Sequence, residues 1–430
     1  MSGAARSWNG LPQAAHARQL ALQVRDAVLP AADGSLLAHG NGRSYGDVCL
    51  NDGANVLLTR GLDRFMSFDR ASGVLRCEAG VLLGDILALV LAQGWFLPVT
   101  PGTRHVTVGG AIANDVHGKN HHVAGSFGHH VRALELLRSD GSRLLCGPHR
   151  QAPWFAATVG GLGLTGCIVW AELQLMPVAN AYMLVNERRF TGLQRFWELN
   201  DAAERAAPYT VAWIDCLARQ PRGIFSSARH APPQPALPPQ RQAQRRMPVT
   251  PPVSLVNGLS LRAFNGLYYH RRLASGPALR HHGGFFYPLD GVRDWNRIYG
   301  RHGFYQYQCV LPPASSRDGI AAILAQIAAS GQGSFLAVLK TFGARPAPGM
   351  LSFARPGATL ALDFPNRGAD SLRLFASLDA IVAQAGGALY PAKDARMPAS
   401  LFRAGFPAWE AFSAFIDPRF SSSFWRRVNP

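Results

Sequence analysis

The spacing of apolar residues predicts a chain that mixes short strands with amphipathic helices. Helical spacing predicts helices over residues 17–28 and 83–92 and within "DGIAAILAQIAAS" and "DSLRLFASLDAIVAQAG". Alternating apolar and polar residues predict strands in "YTVAWIDC", "GFYQYQCVLPP" and "CIVWAELQLMPV". Two further alternating runs flank Asp140-Gly141, which predicts a β-hairpin. The pattern therefore indicates an α+β protein.

The pattern also divides the chain. Glycine-rich segments with short strands occupy residues 1–178, and longer aromatic strands followed by helices begin at residue 179. Residues 229–256 are rich in Pro, Arg and Gln and contain no acidic residue, so we predict a mobile loop there.

Size and composition narrow the class of protein. The chain has 430 residues, 48% of them apolar, and exceeds the size at which one core keeps growing. It has no apolar run of about 18 residues that could span a membrane, and its start lacks the features of a secretory signal, so we expect a cytoplasmic protein. Its six cysteines show no CxxC spacing and are expected to be reduced.

The formal net charge of +17 allows a nucleic acid, an anionic lipid surface or a phosphorylated substrate as partner. No zinc finger, helix-turn-helix or RNP-like aromatic pattern is present, so no nucleic-acid partner is predicted.

Glycine-rich stretches are the strongest candidates for ligand binding. "GLGLTG" matches GxGxxG, but a strand-like run follows it and no ribose-binding acid lies at the required distance, so it is not a Rossmann motif. "HGNGRSYGD", "PGTRHVTVGGAIANDVHG" and "TVGGLGLTG" could together form a backbone nest for a pyrophosphate. His117 and His121 have HxxxH spacing, but Gly118 weakens a helix there and no Glu follows His117, so no metal site is predicted.

These and other segments resemble flavoproteins of the vanillyl-alcohol oxidase type, and within them the decaprenylphosphoryl-ribose 2-oxidase family. The resemblance covers residues 34–418 and includes "GRSYGD", "FFYPLD", "WNRIYG", "LKTFG", "DFP" and "YPAKDAR". It implies an FAD-binding domain of two subdomains over residues 1–178 and an α+β substrate (cap) domain over 179–388. Residues 389–430 would return to the FAD domain and the active site.

The resemblance also implies a cofactor site. FAD would be held noncovalently, because Arg43 stands where many relatives carry the histidine that bonds to the flavin. The implied FAD-binding residues are Gly42, Arg43, Ser44, Tyr45, Gly46, Asp47, Pro101, Gly102, Thr103, Val108, Gly109, Gly110, Ala113, Asn114, His117, Gly118, Asn120, His121, Gly125, Ser126, Gly163, Gly166, Ile168 and Tyr390.

The family places its essential lysine in the motif that holds Lys393, which implies contact with the reacting hydroxyl. His117 would either orient the flavin or relay a proton. The implied substrate-binding residues are Tyr45, Tyr287, Gln306, Gln308, Lys340, Ala361 and Lys393. Ala361 is a departure, because mycobacterial relatives carry a cysteine there.

The implied reaction is FAD-dependent oxidation of the 2-hydroxyl of a polyprenyl-phosphoryl ribose, or a similar lipid-linked pentose, to a 2-keto sugar. An NAD(P)H-dependent short-chain reductase would complete the epimerisation to arabinose. The alternative is an FAD oxidase of a soluble sugar, alditol or aldonolactone. The basic loop at 229–256 favours the lipid-linked substrate and peripheral contact with an anionic membrane surface.

Overall fold

A computed structural model describes residues 5–234 and 245–429. Short strands and helices alternate in the first part of the chain, in the order β1 (Arg18–Ala21), β2 (Ala38–His39), β3 (Asn55–Leu58), β4 (Phe65–Asp69), β5 (Val74–Glu78), α1 (Leu83–Val90), β6 (Trp95–Phe96), α2 (Val108–Ala113), α3 (His121–Ala124), β7 (Val131–Leu137), β8 (Arg143–Cys146), α4 (Ala152–Thr158), β9 (Cys167–Gln174) and β10 (Met176–Pro177).

Longer elements follow, in the order β11 (Tyr182–Thr191), α5 (Leu193–Glu204), β12 (Tyr209–Asp215), β13 (Arg222–His230), β14 (Arg245–Arg246), α6 (Gly258–His270), β15 (Ala278–His281), α7 (His282–Phe286), β16 (Val292–Arg293), β17 (Phe304–Leu311), α8 (Ser316–Ser330), β18 (Ala337–Phe342), β19 (Gly357–Pro365), α9 (Ala369–Gln384), β20 (Ala388–Leu389), α10 (Ala399–Gly405), α11 (Trp409–Ser413) and α12 (Ser423–Val428). Short 3₁₀ turns occur at Leu91–Gln93, Phe127–His130, Pro288–Gly291, Trp295–Tyr299 and Pro391–Lys393.

The first part of the chain forms a five-stranded sheet in the order β4-β5-β9-β7-β8, beside a parallel three-stranded sheet in the order β1-β3-β2. The predicted hairpin is confirmed, because β7 pairs antiparallel with β8 across the turn. The strand predicted after "GLGLTG" is also confirmed as β9.

The predicted helix over residues 17–28 is wrong. Residues 18–21 form β1, whose backbone groups pair in parallel with β3. Val24 and Val28, which would belong to the apolar face of such a helix, are 50% and 74% exposed and do not contribute to the core. Pairing with a distant strand overrides the local pattern.

The second part of the chain forms an eight-stranded sheet in the order β15-β11-β13-β12-β18-β19-β17-β20. The predicted helices α8 and α9 are confirmed, and their apolar faces are buried in the same core as this sheet. The predicted strands β12 and β17 are confirmed as well. The α+β class holds, whereas the boundaries at residues 178 and 388 remain predictions.

Three further observations bear on the sequence predictions. The centre of the predicted mobile loop, residues 235–244, lies outside the described residues, and on its two sides β13 reaches His230 and β14 pairs with β16. All six cysteines are unpaired thiols. No helix in the described ranges is long and apolar enough to cross a membrane.

Candidate active site

A cavity of about 650 Å³ lies between the two parts of the chain. Its lining includes glycine-rich turns from the first part and side chains of β17, β18 and β19 from the second. The segment after β20 adds Tyr390 and Lys393, because Tyr390 N–H donates to the carbonyl of Gln308 (2.9 Å) and extends the sheet pairing there.

Bare backbone faces this cavity. A Cβ added at Gly102 would meet no atom within 4 Å, and one at Gly163 would meet only Leu37 at 3.9 Å. Both glycines line the cavity, so side chains there would occupy space now open to a ligand. Two buried polar atoms on its wall, Arg43 Nε and Asn114 Oδ1, have no hydrogen-bond partner among the described residues. Open backbone and unpartnered polar atoms suit a large polar cofactor such as FAD.

Most of the residues predicted from the sequence meet at the cavity. Those that line it are Gly42, Arg43, Ser44, Tyr45, Pro101, Gly102, Thr103, Gly109, Gly110, Ala113, Asn114, His117, Gly163, Gly166, Ile168, Gln306, Gln308, Lys340, Ala361, Tyr390 and Lys393.

Nine predicted residues do not line it, because each is engaged behind the wall. A Cβ on Gly46 would lie 1.7 Å from the carbonyl oxygen of Asp394, so this glycine allows the backbone to touch the Lys393 segment. Asp47 pairs with Arg427 at 2.7 Å. Val108 is fully buried in the apolar core.

The other six support neighbouring loops. The Gly118 carbonyl accepts from Lys340 Nζ (3.0 Å), and Asn120 Nδ2 donates to the Pro98 carbonyl (2.8 Å). His121 Nδ1 accepts from Gly343 N–H (3.2 Å), and Ser126 N–H, next to Gly125, donates to His129 Nδ1 (3.1 Å). The Tyr287 hydroxyl hydrogen-bonds to Thr100 Oγ1 (2.6 Å).

The chain contains only three lysines, Lys119, Lys340 and Lys393, and Lys340 is close enough to each of the other two for their charges to lower its pKa. Burial lowers the pKa of Lys119 and Lys340 to about 7. The pKa of Lys393 is also lowered by burial, although the Asp363 carboxylate opposes that change. Amines of this kind are partly neutral near neutral pH and can accept a proton.

Lys393 rests on an aromatic ring. Its Nζ lies 3.8 Å from the centroid of the Tyr45 ring. Tyr45 is itself fixed by its backbone, which donates to the Ala392 carbonyl at 2.8 Å, and by edge contact with Phe304. The amine of Lys393 is therefore positioned by its contact with the Tyr45 ring, which is itself fixed.

Asp363 is the acidic partner of this lysine. The carboxylate is fully buried; Oδ1 accepts from Gln306 Nε2 at 2.5 Å, and Oδ2 has no hydrogen-bond partner among the described residues. Burial raises its pKa, while the hydrogen bond from Gln306 and the charge of Lys393 act in the opposite direction.

His117 is held in a neutral state. Burial and the positive charges of Lys340 and Lys393 keep the pKa of its imidazole well below the usual value. Gln308 Nε2 lies 2.9 Å from His117 Nε2 and donates to it, and the imidazole makes edge contacts with Phe342, Phe353 and Tyr390. An imidazole with so low a pKa is a weak proton acceptor, and its contacts fix it as part of the cavity wall.

Sequence reasoning missed several residues of the cavity wall. Trp8 stacks on the guanidinium of Arg43, with 4.1 Å between Cζ and the ring centroid, and nothing in the local sequence indicates this contact. Asp290 ends the motif "FFYPLD", and Trp295 begins the motif "WNRIYG". The sequence shows both motifs but does not indicate that these two residues line the cavity. His105, Arg246 and Arg293 also line the cavity.

No metal centre is evident in the part of the chain that the structure describes, where no three His, Cys, Asp or Glu residues come together. His117 and His121 both pack against the Phe342 ring.

Comparison with known proteins supports the interpretation of this cavity as a cofactor site. A family model for the FAD binding domain matches residues 13–147. The decaprenylphosphoryl-beta-D-ribose oxidase of Mycolicibacterium smegmatis is 36% identical over 94% of this chain and 92% of its own length. An uncharacterized protein encoded in the mprA 5' region of Streptomyces coelicolor is 36% identical over 81% of this chain and its whole length. Human delta(24)-sterol reductase is 33% identical over 30% of this chain and 25% of its own length. The chain is therefore an FAD-binding oxidoreductase and belongs to the decaprenylphosphoryl-ribose oxidase family.

Proposed function

We propose that this protein oxidises the 2-hydroxyl of a polyprenyl-phosphoryl ribose, or a similar lipid-linked pentose, to the 2-keto sugar. The observation that carries the proposal is the meeting of glycine backbone, Lys393 and the polar side chains of β17 and β18 in one cavity. The likeness to the mycobacterial oxidase over almost the whole chain supports it. Residues 1–178 would bind the cofactor in two subdomains, residues 179–388 would cap it, and residues 389–430 would return Lys393 to the site.

The cofactor would be held by the backbone around residues 42–44, 102–103 and 109–110, with Arg43 and Asn114 supplying side-chain hydrogen bonds. The hold would be noncovalent, because a guanidinium at position 43 cannot replace the linking histidine of relatives. FAD supplies the hydride acceptor for oxidation of an alcohol.

Lys393 takes the hydroxyl proton in this proposal. Its lowered pKa makes a neutral amine available near neutral pH, and its place beside Tyr45 directs it into the cavity. His117 accepts a hydrogen bond from Gln308, and its pKa is well below the usual value. In this proposal His117 is part of the cavity wall, and Lys393 accepts the proton. Lys340 and Gln306 would contact the polar groups of the sugar phosphate.

Anaerobic mixing with candidate substrates tests the proposal. Prenyl-phosphoryl ribose should bleach the visible flavin band, and free ribose, alditols and aldonolactones should do so far more slowly. Equal or faster bleaching by a soluble alditol or lactone would favour the soluble-substrate alternative. Addition of an NAD(P)H-dependent short-chain reductase should convert the product to the arabinose epimer. A cytoplasmic location with peripheral contact to an anionic membrane belongs to the same proposal.

A further inference from the structure

An unusual apolar surface lies on the outer side of α6. The buried residues of this helix, Leu261 and Asn265, mark its inner face. The opposite face carries Leu259 and Leu267, which are 82% and 76% exposed, with Ala263 between them. Helical surfaces that face water normally carry polar residues there. The outer face of α6 therefore exposes large apolar side chains to water.

The surface continues into the segment before the helix. Val249, Val253 and Leu255 are 63%, 67% and 50% exposed. We define the α6 patch as these three residues with Leu259 and Leu267. Together with Phe264, they account for six of the thirteen large apolar side chains that are exposed among the described residues. Such a concentration marks an interaction surface more often than single exposed residues do.

Basic residues outnumber acidic ones around the patch, and the acidic residues that reach this region, Glu187 and Asp294, are each paired with arginines. Between Asp215 and Asp290 the sequence contains ten arginines and no acidic residue. Arg245, Arg262 and Arg272 are exposed, and within the described ranges none of the three is found in an ion pair. Exposed leucines and valines together with exposed, unpaired arginines of the same segment complement a surface that is anionic outside and apolar beneath.

The patch also neighbours residues that line the cavity. β14, which leads into the patch, pairs in parallel with β16, and Arg246 and Arg293 of these strands line the cavity. Leu255 N–H donates to the Ile298 carbonyl at 2.8 Å, next to the cavity residue Trp295. On its inner side, Leu261 packs in one cluster with Tyr45 and Trp295. A membrane bound at the patch would therefore lie close to segments that form the cavity wall.

We infer that the α6 patch is a docking surface for an anionic phospholipid bilayer. Leu259, Leu267 and the valines would enter the boundary of headgroups and acyl chains, while Arg245, Arg262 and Arg272 would contact lipid phosphates. The inference rests on the membrane association proposed above and locates it on one helix.

Vesicle co-sedimentation of the FAD-loaded protein tests the inference. Vesicles would contain phosphatidylcholine alone or phosphatidylcholine mixed with phosphatidylglycerol. The wild type should bind the anionic vesicles, and Leu259→Ser with Leu267→Ser should lower the partition coefficient by at least tenfold. Arg262→Gln and Arg272→Gln should each lower it about fivefold, and only for anionic vesicles. Leu372→Ser is the matched control, since Leu372 is 45% exposed on α9 and should not change binding.

The outcomes distinguish the α6 patch as a docking surface from the membrane association proposed for the protein as a whole. Because all substituted residues are exposed, each variant should keep its bound flavin and its rate of flavin reduction with a water-soluble short-chain substrate. Strong binding by the wild type that the leucine variant retains would overturn the α6 patch and leave the membrane association standing. No binding by the wild type would overturn both. A wild-type dimer that the leucine variant dissociates would instead assign the patch to a second copy. Equal loss of vesicle and RNA binding in the arginine variants alone would assign it to polyanions.

Discussion

At the scale of single residues, reactivity depends on how Lys393 is placed and charged. The Lys393 amine lies over the Tyr45 ring. Among the described residues, Asp363 is the only acidic group whose charge raises the pKa of this amine. His117 Nε2 already accepts a hydrogen bond from Gln308. The division of roles between lysine and histidine can be tested by separate substitutions.

Lys393→Met should abolish substrate-driven flavin reduction while FAD stays bound. Methionine keeps most of the apolar stem, and loss of a positioned proton acceptor costs on the order of 100-fold to 10,000-fold in rate. Anaerobic stopped flow measures the effect. Lys119→Met is the matched control, because the Lys119 amine lies over the ring of Phe285 (4.3 Å) and does not line the cavity. A near wild-type rate in Lys393→Met would remove the lysine from the mechanism.

Asp363→Asn should move the pH dependence of flavin reduction to lower pH. The negative charge of Asp363 raises the pKa of Lys393, so its loss lets the lysine become neutral at lower pH. If the neutral amine is the active form, the rate rises with pH, and the midpoint should fall by about one unit. Asp318→Asn, at an exposed position on α8, should leave the midpoint unchanged. A midpoint that stays fixed in Asp363→Asn would show that the two groups are uncoupled.

Flavin should separate from the polypeptide when the protein is denatured by acid or heat. Arg43, stacked on Trp8, has no nucleophilic ring nitrogen with which to form the bond found in many relatives. Filtration after denaturation measures free flavin. Yellow colour that stays with the precipitated protein would mean that another residue is linked to the cofactor.

At the scale of elements, helix α12 holds the Lys393 segment in place. Arg427 Nη2 lies 2.7 Å from Asp47 Oδ1 and 2.9 Å from Asp394 Oδ2. Asp394 also accepts the backbone N–H of Met397 at 2.8 Å, so the loop after Lys393 depends on the same carboxylate. One arginine therefore joins the first glycine loop, the lysine segment and α12.

Arg427→Met should lower the free energy of unfolding by roughly 3 kcal/mol, because two nearly buried carboxylates lose their cation. Chemical denaturation followed by tryptophan fluorescence measures the change. The control is Arg373→Met, whose partner Asp370 is exposed and whose pair should contribute less than about 1 kcal/mol. Equal effects in the two variants would show that the buried network contributes no more than a surface pair.

Elements with a strong local pattern could be predicted from the sequence, and contacts between distant segments could not. Helices α8 and α9 and the β7–β8 hairpin follow from spacing and turn chemistry. By contrast, β1 exists only because β3 lies beside it. The glycine motifs located the cavity, but Trp8 reaches it through tertiary packing, and Tyr287 turns its hydroxyl to Thr100 behind the wall.

At the scale of the whole molecule, the cavity is shared between the two parts of the chain. Glycine turns before residue 178 form one wall, and strands of the eight-stranded sheet form the other. A ligand bound there contacts both, so its binding energy adds to the stability of the complete fold.

Removal of FAD should lower the melting temperature of the whole protein, and added FAD should restore it in a concentration-dependent way. At a free concentration of 100 times Kd, a ligand that binds only the folded state contributes about 2.7 kcal/mol. Thermal unfolding of the apoprotein with increasing FAD measures this, and FMN, which lacks the adenylate half, serves as control. A melting temperature independent of FAD would show that the cofactor does not bridge the two parts.

The confinement of lysine to the site has a consequence for chemical labelling. Forty of the 43 basic Lys and Arg residues are arginines, and the three lysines all lie in or behind the cavity. Acylating dyes, aldehyde cross-linkers and lysine-specific proteases usually act on exposed lysines, and this protein has none that is fully exposed. Two of the three side-chain amines line the cavity, so a reagent small enough to enter would report on the site, with Lys119 and the α-amino group as the other amines that it could label.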